Sequence, residues 1–224
     1  MTRPIDSGTR RLQLNDEAAG YVRELIMTGQ LRPGDFIRLD EIARDLAVST
    51  TPVREGMLAL RGEGFVRLEP RRGFVVAPLS TMDIRDIFAA QATLAGELAA
   101  RAATMMTSVE HDDLARLQDQ LEAAAVAGEI VRLEALNHMF HRLINRAADA
   151  PKVAWLLSVG ARYVPRRFYA TVTGWPEASA RDHAAVIASL AARDAEQARE
   201  SMSGHVRHAG ELLAQHLERT AKTD

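Results

Sequence analysis

The chain of 224 residues contains no cysteine. That excludes a disulfide scaffold, thiolate zinc sites and cysteine nucleophiles, and leaves histidines and carboxylates to ligate any metal. Lysine is nearly absent as well. Only Lys152 and Lys222 occur, so almost all positive charge is guanidinium, the group suited to bidentate contacts with phosphates and base edges. No run of about 18 apolar residues exists, and the N-terminal segment lacks the apolar core of a signal peptide. A soluble cytoplasmic protein with no membrane partner is expected. An excess of one charge is missing too: 28 Lys and Arg against 30 Asp and Glu leave −2, which excludes a uniformly basic coat but not a local basic face.

Composition changes near Pro78, dividing the chain into residues 1–78 and 79–224. The first part carries 12 arginines and 11 acidic residues, a net of +1, and the second a net of −3. In the first part Ala18, Val22, Leu25 and Ile26 recur at helical spacing up to Gly29, and Pro33-Gly34 turns the chain. A short helix from Asp40 buries Ile42 and Leu46. Ser49 or Thr50 then caps a third helix with Pro52 in its first turn and Val53, Met57 and Leu60 as its buried stripe. Phe65 to Glu69 alternates, Pro70-Arg71-Arg72-Gly73 turns, and Phe74-Val75-Val76 runs back as a hairpin with arginines at its tip.

That order is a winged helix-turn-helix. It offers Ser49, Thr50, Thr51 and Arg54 to a major groove of double-stranded DNA and the wing arginines to an adjacent minor groove. Each arginine alone also suits a solvated surface, and a helix-turn-helix also serves as a protein-docking module.

The segments Leu31-Arg32-Pro33-Gly34, Ser49-Thr50-Thr51-Pro52-Val53-Arg54-Glu55, Leu60-Arg61-Gly62-Glu63-Gly64-Phe65-Val66 and Arg72-Gly73-Phe74-Val75-Val76 resemble the GntR family of bacterial transcription regulators. The resemblance implies a homodimer that binds a palindromic operator and responds to a metabolite. By it Arg54 and residues 49–51 contact operator DNA, with Arg72 and Gly73 at the wing tip, and Arg38 is a further phosphate contact. Thr50 stands where many relatives carry Arg, and Gly56 replaces the usual Ala.

From Thr81 onward apolar residues keep helical spacing in about six stretches joined by short loops, the pattern of an all-α bundle. Asn137 and His141 are four apart on the apolar face running from Leu133 to Ile144. His183 precedes Val186, Ile187 and Leu190 at inward spacing, and His205 lies on the stripe of Met202, Ala209 and Leu212. Three inward histidines can converge on a transition metal, or can be hydrogen-bonded core residues. Spacing alone does not choose between them.

The region 81–218 resembles the FCD ligand-binding domain of the FadR-type branch of that family. Many members carry Asp-x-x-x-His on one helix and two later histidines about 22 residues apart. The resemblance implies a divalent metal, zinc, nickel, manganese or iron, held by Asn137, His141, His183 and His205. Asn137 replaces the commoner Asp, which weakens binding but leaves the site more positive and favours an anionic effector. Gln91 stands where relatives place an arginine, so Arg162 and Arg166, with Arg167, become the candidates for binding a small organic-acid effector.

The expected protein is mainly α, a winged helix-turn-helix followed by an FCD-like bundle. Its expected function is that of a metabolite-responsive repressor rather than an enzyme. Two rivals remain: a metal-responsive repressor, and a metal-dependent hydrolase, which would need a general base that no His-Glu-x-x-His arrangement supplies.

Overall fold

The computed structural model describes residues 7–164, 172 and 174–223, with side chains from 13 to 219. The chain forms two compact units, residues 1–79 and 80–224.

In the first unit α1 (Ser7–Met27) packs on α3 (Thr50–Glu63), and α2 (Leu39–Asp45) packs on α3 as well. Ala18 and Val22 of α1 meet Val53, Met57 and Leu60 of α3, all fully buried. The two helices approach closely because Gly56 lacks a side chain: a Cβ there would stand 2.8 Å from the Asn15 carbonyl oxygen. The departure from Ala is thus a packing device. Arg23 pairs with Glu63 at 2.7 Å and Asn15 donates to Glu55 at 2.6 Å, locking the same pair of helices.

α3 ends at Gly64, whose φ of +87° suits only a residue without Cβ penalty. β1 (Val66–Glu69) and β2 (Gly73–Val76) form the antiparallel wing in the register Val66↔Val76 to Glu69↔Gly73. Residues 34–37 add a third, irregular edge: Ile37 N–H donates to the Phe74 carbonyl and Val76 N–H to that of Asp35. No alternation in the sequence announces this edge.

The second unit is helical: α4 (Thr81–Met105), α5 (Ser108–Ala127), α6 (Ile130–Ala147), α7 (Pro151–Gly160) with a 3₁₀ turn (Ala161–Tyr163), α8 (Trp175–Ala191) and α9 (Ala195–Thr223). Capping boxes start α4 at Ser80 and α5 at Thr107, each hydroxyl accepting from the backbone N–H three residues on. α4 and α9 lie against each other along a stripe of small residues, Ala92, Ala95, Gly96 and Ala99 on α4 and Ala198 on α9. Phe140 and Ile144 of α6, Val186 and Leu190 of α8 and Met202 of α9 complete the core. α7 departs from its helical apolar pattern: none of its residues is buried, and Trp155, Leu156 and Val159 are exposed.

Candidate functional site

The first unit assembles a groove of about 650 Å³ lined by Arg38, Arg44 and Arg54, by the acidic Asp40 and Glu41 of α2, by Thr50 on α3, and by Phe36 and Gly73, the latter at the turn end of the wing. The local sequence explains which side chains face it. Within Pro52-Val53-Arg54-Glu55 the first two are buried and Glu55 is committed to Asn15, so Arg54 is the member left facing solvent. Among the described residues Arg54 is in no ion pair.

Arg38 pairs with Glu41 and Arg72 with Glu69, each at 3.4 Å with the arginine largely exposed. Such exposed pairs contribute about 0–1 kcal/mol, so they hold the arginines only weakly. Ser49 is the residue before α3, and its hydroxyl makes no capping hydrogen bond; Ser49, Thr51 and Arg72 are exposed beside the groove. Gly73 has a φ of +86°, and a Cβ there would stand 3.4 Å from the Phe36 ring; Arg71 at the wing tip has a φ of +64°. Arg44 and Phe36 went unnoticed in the sequence. Arg44 lies four residues after Asp40 on a helix too short to show a basic face.

In the second unit α6, α8 and α9 each contribute one imidazole to a common centre. One ring nitrogen from each of His141, His183 and His205 lies within 4.8 Å of the others. His141 Nε2 and His205 Nε2 are 3.3 Å apart. Asn137, one turn before His141, is buried with its carboxamide oxygen enclosed. Phe140 stacks on His183 with ring centroids 3.9 Å apart and nearly parallel planes, and the Trp175 ring lies 5.6 Å from that of His205.

The hydrogen bonds assign the protons. Gln118 Nε2 donates to Glu122 at 2.8 Å, which turns Gln118 Oε1 toward His183 Nδ1 at 2.9 Å. His183 therefore carries its proton on Nδ1 and leaves the Nε2 lone pair on the inner side, where the Ser179 hydroxyl donates at 3.4 Å. Asp182 Oδ2 lies 3.4 Å from His205 Nδ1 and 2.9 Å from His208 Nδ1. A carboxylate only accepts, so His205 also turns a lone pair, on Nε2, toward His141. His141 is then the donor of the short Nε2 to Nε2 contact.

Burial, and then the neighbouring His205 and His138, push the His141 imidazole down to about 3. Burial, then His205 and His141, hold His183 well below the ordinary imidazole range. Burial works to raise Asp182, but hydrogen bonds from His205 and His208 outweigh it and keep the carboxyl below its usual value.

Three converging imidazoles are a donor set for a divalent transition metal; His183 and His205 turn a lone pair inward, and His141 would have to give up its Nε2 proton to join them. Tetrahedral bonds of about 2.0–2.1 Å place ligand nitrogens about 3.3 Å apart, the separation of His141 and His205. The residues fit such an ion. His141, His183 and His205 would hold it with Asn137 beside them, and the ion would supply a positive centre for an anionic ligand.

His138, next to Asn137 on α6, is exposed. Gln91 is buried and donates to the Gly160 carbonyl at 3.2 Å, so it is committed to the end of α7. Arg162 is exposed on the 3₁₀ turn, on none of the three histidine-bearing elements. Arg166 and Arg167 lie outside the described residues.

Gln118, Ser179, Asp182 and His208 surround the histidines but were not singled out from the sequence. Asp182 beside His183 and His208 three residues after His205 were readable signals. Gln118, 65 residues before His183, left none.

The sequence matches two family models, one described as FCD domain over residues 86–208 and one as Bacterial regulatory proteins, gntR family, over residues 14–76. An uncharacterized HTH-type transcriptional regulator in the TAR-I ttuE-ttuC' intergenic region of Agrobacterium vitis is 37% identical over 108 residues, covering 48% of this chain and 63% of that one. The HTH-type transcriptional repressor RspR of Escherichia coli is 25% identical, with 90% of each chain covered. Among solved structures, E. coli McbR/YncC superposes with a TM-score of 0.70 at 21% identity, covering 90% of this chain and 97% of that one.

Proposed function

Because the chain belongs to the gntR family of bacterial regulatory proteins and carries an FCD domain, it is a transcriptional regulator and not an enzyme, and we propose that it is a dimeric repressor whose operator affinity is set by an anionic metabolite at a metal centre. The first unit holds the DNA. Arg54 reaches base edges, Ser49, Thr50 and Thr51 meet phosphates at the start of α3, and Arg38, Arg72 and Gly73 fix the register on the duplex. With only a small excess of positive charge in that unit, affinity rests on these few arginines and on two half-sites bound together, which makes the operator a palindrome.

The second unit senses. The observation that carries this reading is the convergence of His141, His183 and His205, from three helices, within 4.8 Å. A small organic acid completes the coordination sphere, with Arg162 and Arg166 as the candidates to neutralise its far end. The neutral Asn137 leaves the bound ion with its full charge for that carboxylate. The effector represses or releases only through differential affinity for the two DNA-binding states; a few kcal/mol shifts operator occupancy by roughly one to three orders of magnitude.

The test is metal analysis of protein purified without chelators, followed by operator binding, on duplexes selected from a random pool, with the metal retained, removed, or retained with a panel of carboxylic acids. Stoichiometric metal and an acid-dependent change in affinity are expected. Absence of stoichiometric metal at more than one pH sinks the metal centre. A change on chelation alone, with no response to any acid, replaces the metabolite by the metal itself as the signal.

A further inference from the structure

The three imidazoles do not orient themselves. Each can turn either nitrogen inward, and the partner on the outer nitrogen decides which. His183 has an amide as its outer partner, Gln118 at 2.9 Å. His205 has a carboxylate. We propose that Asp182 is a positioning residue of the histidine centre: its carboxylate, clamped by His208, keeps the His205 proton on Nδ1 and thereby presents Nε2 to the site.

Three observations support the assignment. One oxygen, Asp182 Oδ2, faces both rings, 3.4 Å from His205 Nδ1 and 2.9 Å from His208 Nδ1. His205 and His208 are three apart on α9, so successive turns bring both rings to one acceptor. Their exposures differ sharply. The His205 side chain is 3% exposed, Asp182 24% and His208 41%, so the chain of contacts runs from the interior to the surface. His208 is too remote from the centre to ligate with the others, since the cluster of converging nitrogens contains only His141, His183 and His205 among the described residues.

The shorter of the two bonds is the outer one. It anchors the carboxylate to α9, and the longer bond to His205 follows from that anchor. Asp182 also follows from chain geometry: it is the neighbour of His183 on α8, so consecutive residues supply one inner ring and one outer acceptor. The role is independent of which ion binds, but its effect on affinity rests on the metal centre proposed above.

The experiment has two readouts on the full chain. Long-range ¹H–¹⁵N spectra of chelated protein report which nitrogen of each histidine carries the proton, with the His205 signals identified by their loss in His205→Gln. A Zn²⁺ competition titration reports affinity. In the parent His205 carries its proton on Nδ1. In Asp182→Ala that signal moves to Nε2–H or to a mixture, and Zn²⁺ affinity falls about 10- to 100-fold. Asp182→Asn keeps an acceptor oxygen, so it retains the Nδ1–H signal and recovers most of the affinity. His208→Ala frees the carboxylate and shifts both readouts in the direction of Asp182→Ala.

An unchanged His205 tautomer in Asp182→Ala overturns the proposal, as does Asp182→Asn behaving like Asp182→Ala. If the parent binds no Zn²⁺, the metal centre itself fails, and the tautomer spectra still decide the role of Asp182.

Discussion

Replacing Gly96 by alanine should weaken both the helical unit and the histidine centre, although Gly96 touches none of the histidines. It lies on α4 where α9 packs closely against it. A Cβ at this position would overlap the Ser203 hydroxyl and stand 2.8 Å from the Arg199 carbonyl oxygen. Ser203 is buried and donates to the Ala92 carbonyl at 2.9 Å, so rotating its hydroxyl away sacrifices that bond, about 1 kcal/mol. The Arg199 carbonyl is backbone and yields only if α9 moves.

Restoring an ordinary carbon to oxygen contact requires roughly 0.6 Å of helix separation. Overpacking of this kind costs about 1–3 kcal/mol, giving about 2–4 kcal/mol in all. Alanine's better helix propensity returns at most about 1 kcal/mol. At about 3 °C per kcal/mol for a chain of this size, the melting temperature falls by several degrees.

His205 is two residues beyond Ser203 on the helix that must move, and metal sites tolerate about 0.2 Å in ligand distance. Zn²⁺ affinity therefore falls by about tenfold or more. Urea denaturation and a Zn²⁺ competition titration measure the two effects, and Ser203→Ala in the same background should recover part of the stability. A Gly96→Ala protein that melts with the parent and binds Zn²⁺ equally would refute the reasoning.

Arg54→Glu should abolish operator binding while the melting curve stays that of the parent, because Arg54 faces solvent; retained footprinting would remove α3 from the interface. Zn²⁺ at a hundredfold excess over its dissociation constant should stabilise chelated protein by about 2.7 kcal/mol, and His141→Ala or His183→Ala should erase that gain in a thermal melt. Chelated protein should lose stability on acidification. The folded His141 value of about 3 and the depressed His183 lie below the unfolded imidazole near 6.5, so between these limits the unfolded chain binds more protons. Stability is thus complete above about pH 6.5 and falls as pH drops, by up to about 1.4 kcal/mol per unit for each histidine. Urea melts at neutral and mildly acidic pH check this, and a flat profile contradicts the assigned burial.

Local patterns carry most of what was legible. Gly29 marks the end of α1 because a left-handed residue there is a local requirement, whereas the expected alternation of the wing fails: Phe74, Val75 and Val76 are all buried and Leu68 is half exposed. His183 and His205 announced themselves through their places on apolar stripes, where a polar ring must find a partner inside. α7 shows the limit of this reasoning: Trp155, Leu156 and Val159 have helical apolar spacing, yet they stay 61%, 49% and 36% exposed.

Legible in the sequence alone were the two-part organisation, the order of the winged helix-turn-helix, and the inward places of His183 and His205, since each shows in composition or in residues within a few positions of one another. Only the tertiary structure decided that Glu55 serves α1 and leaves Arg54 outward, and that Gln91 belongs to the end of α7. It likewise placed Gln118 and Asp182 as outer partners of His183 and His205. The physical reason is that these are hydrogen bonds from side chains to groups on other helices. Which acceptor meets which ring depends on how the helices cross, a relation between distant segments that no local periodicity encodes.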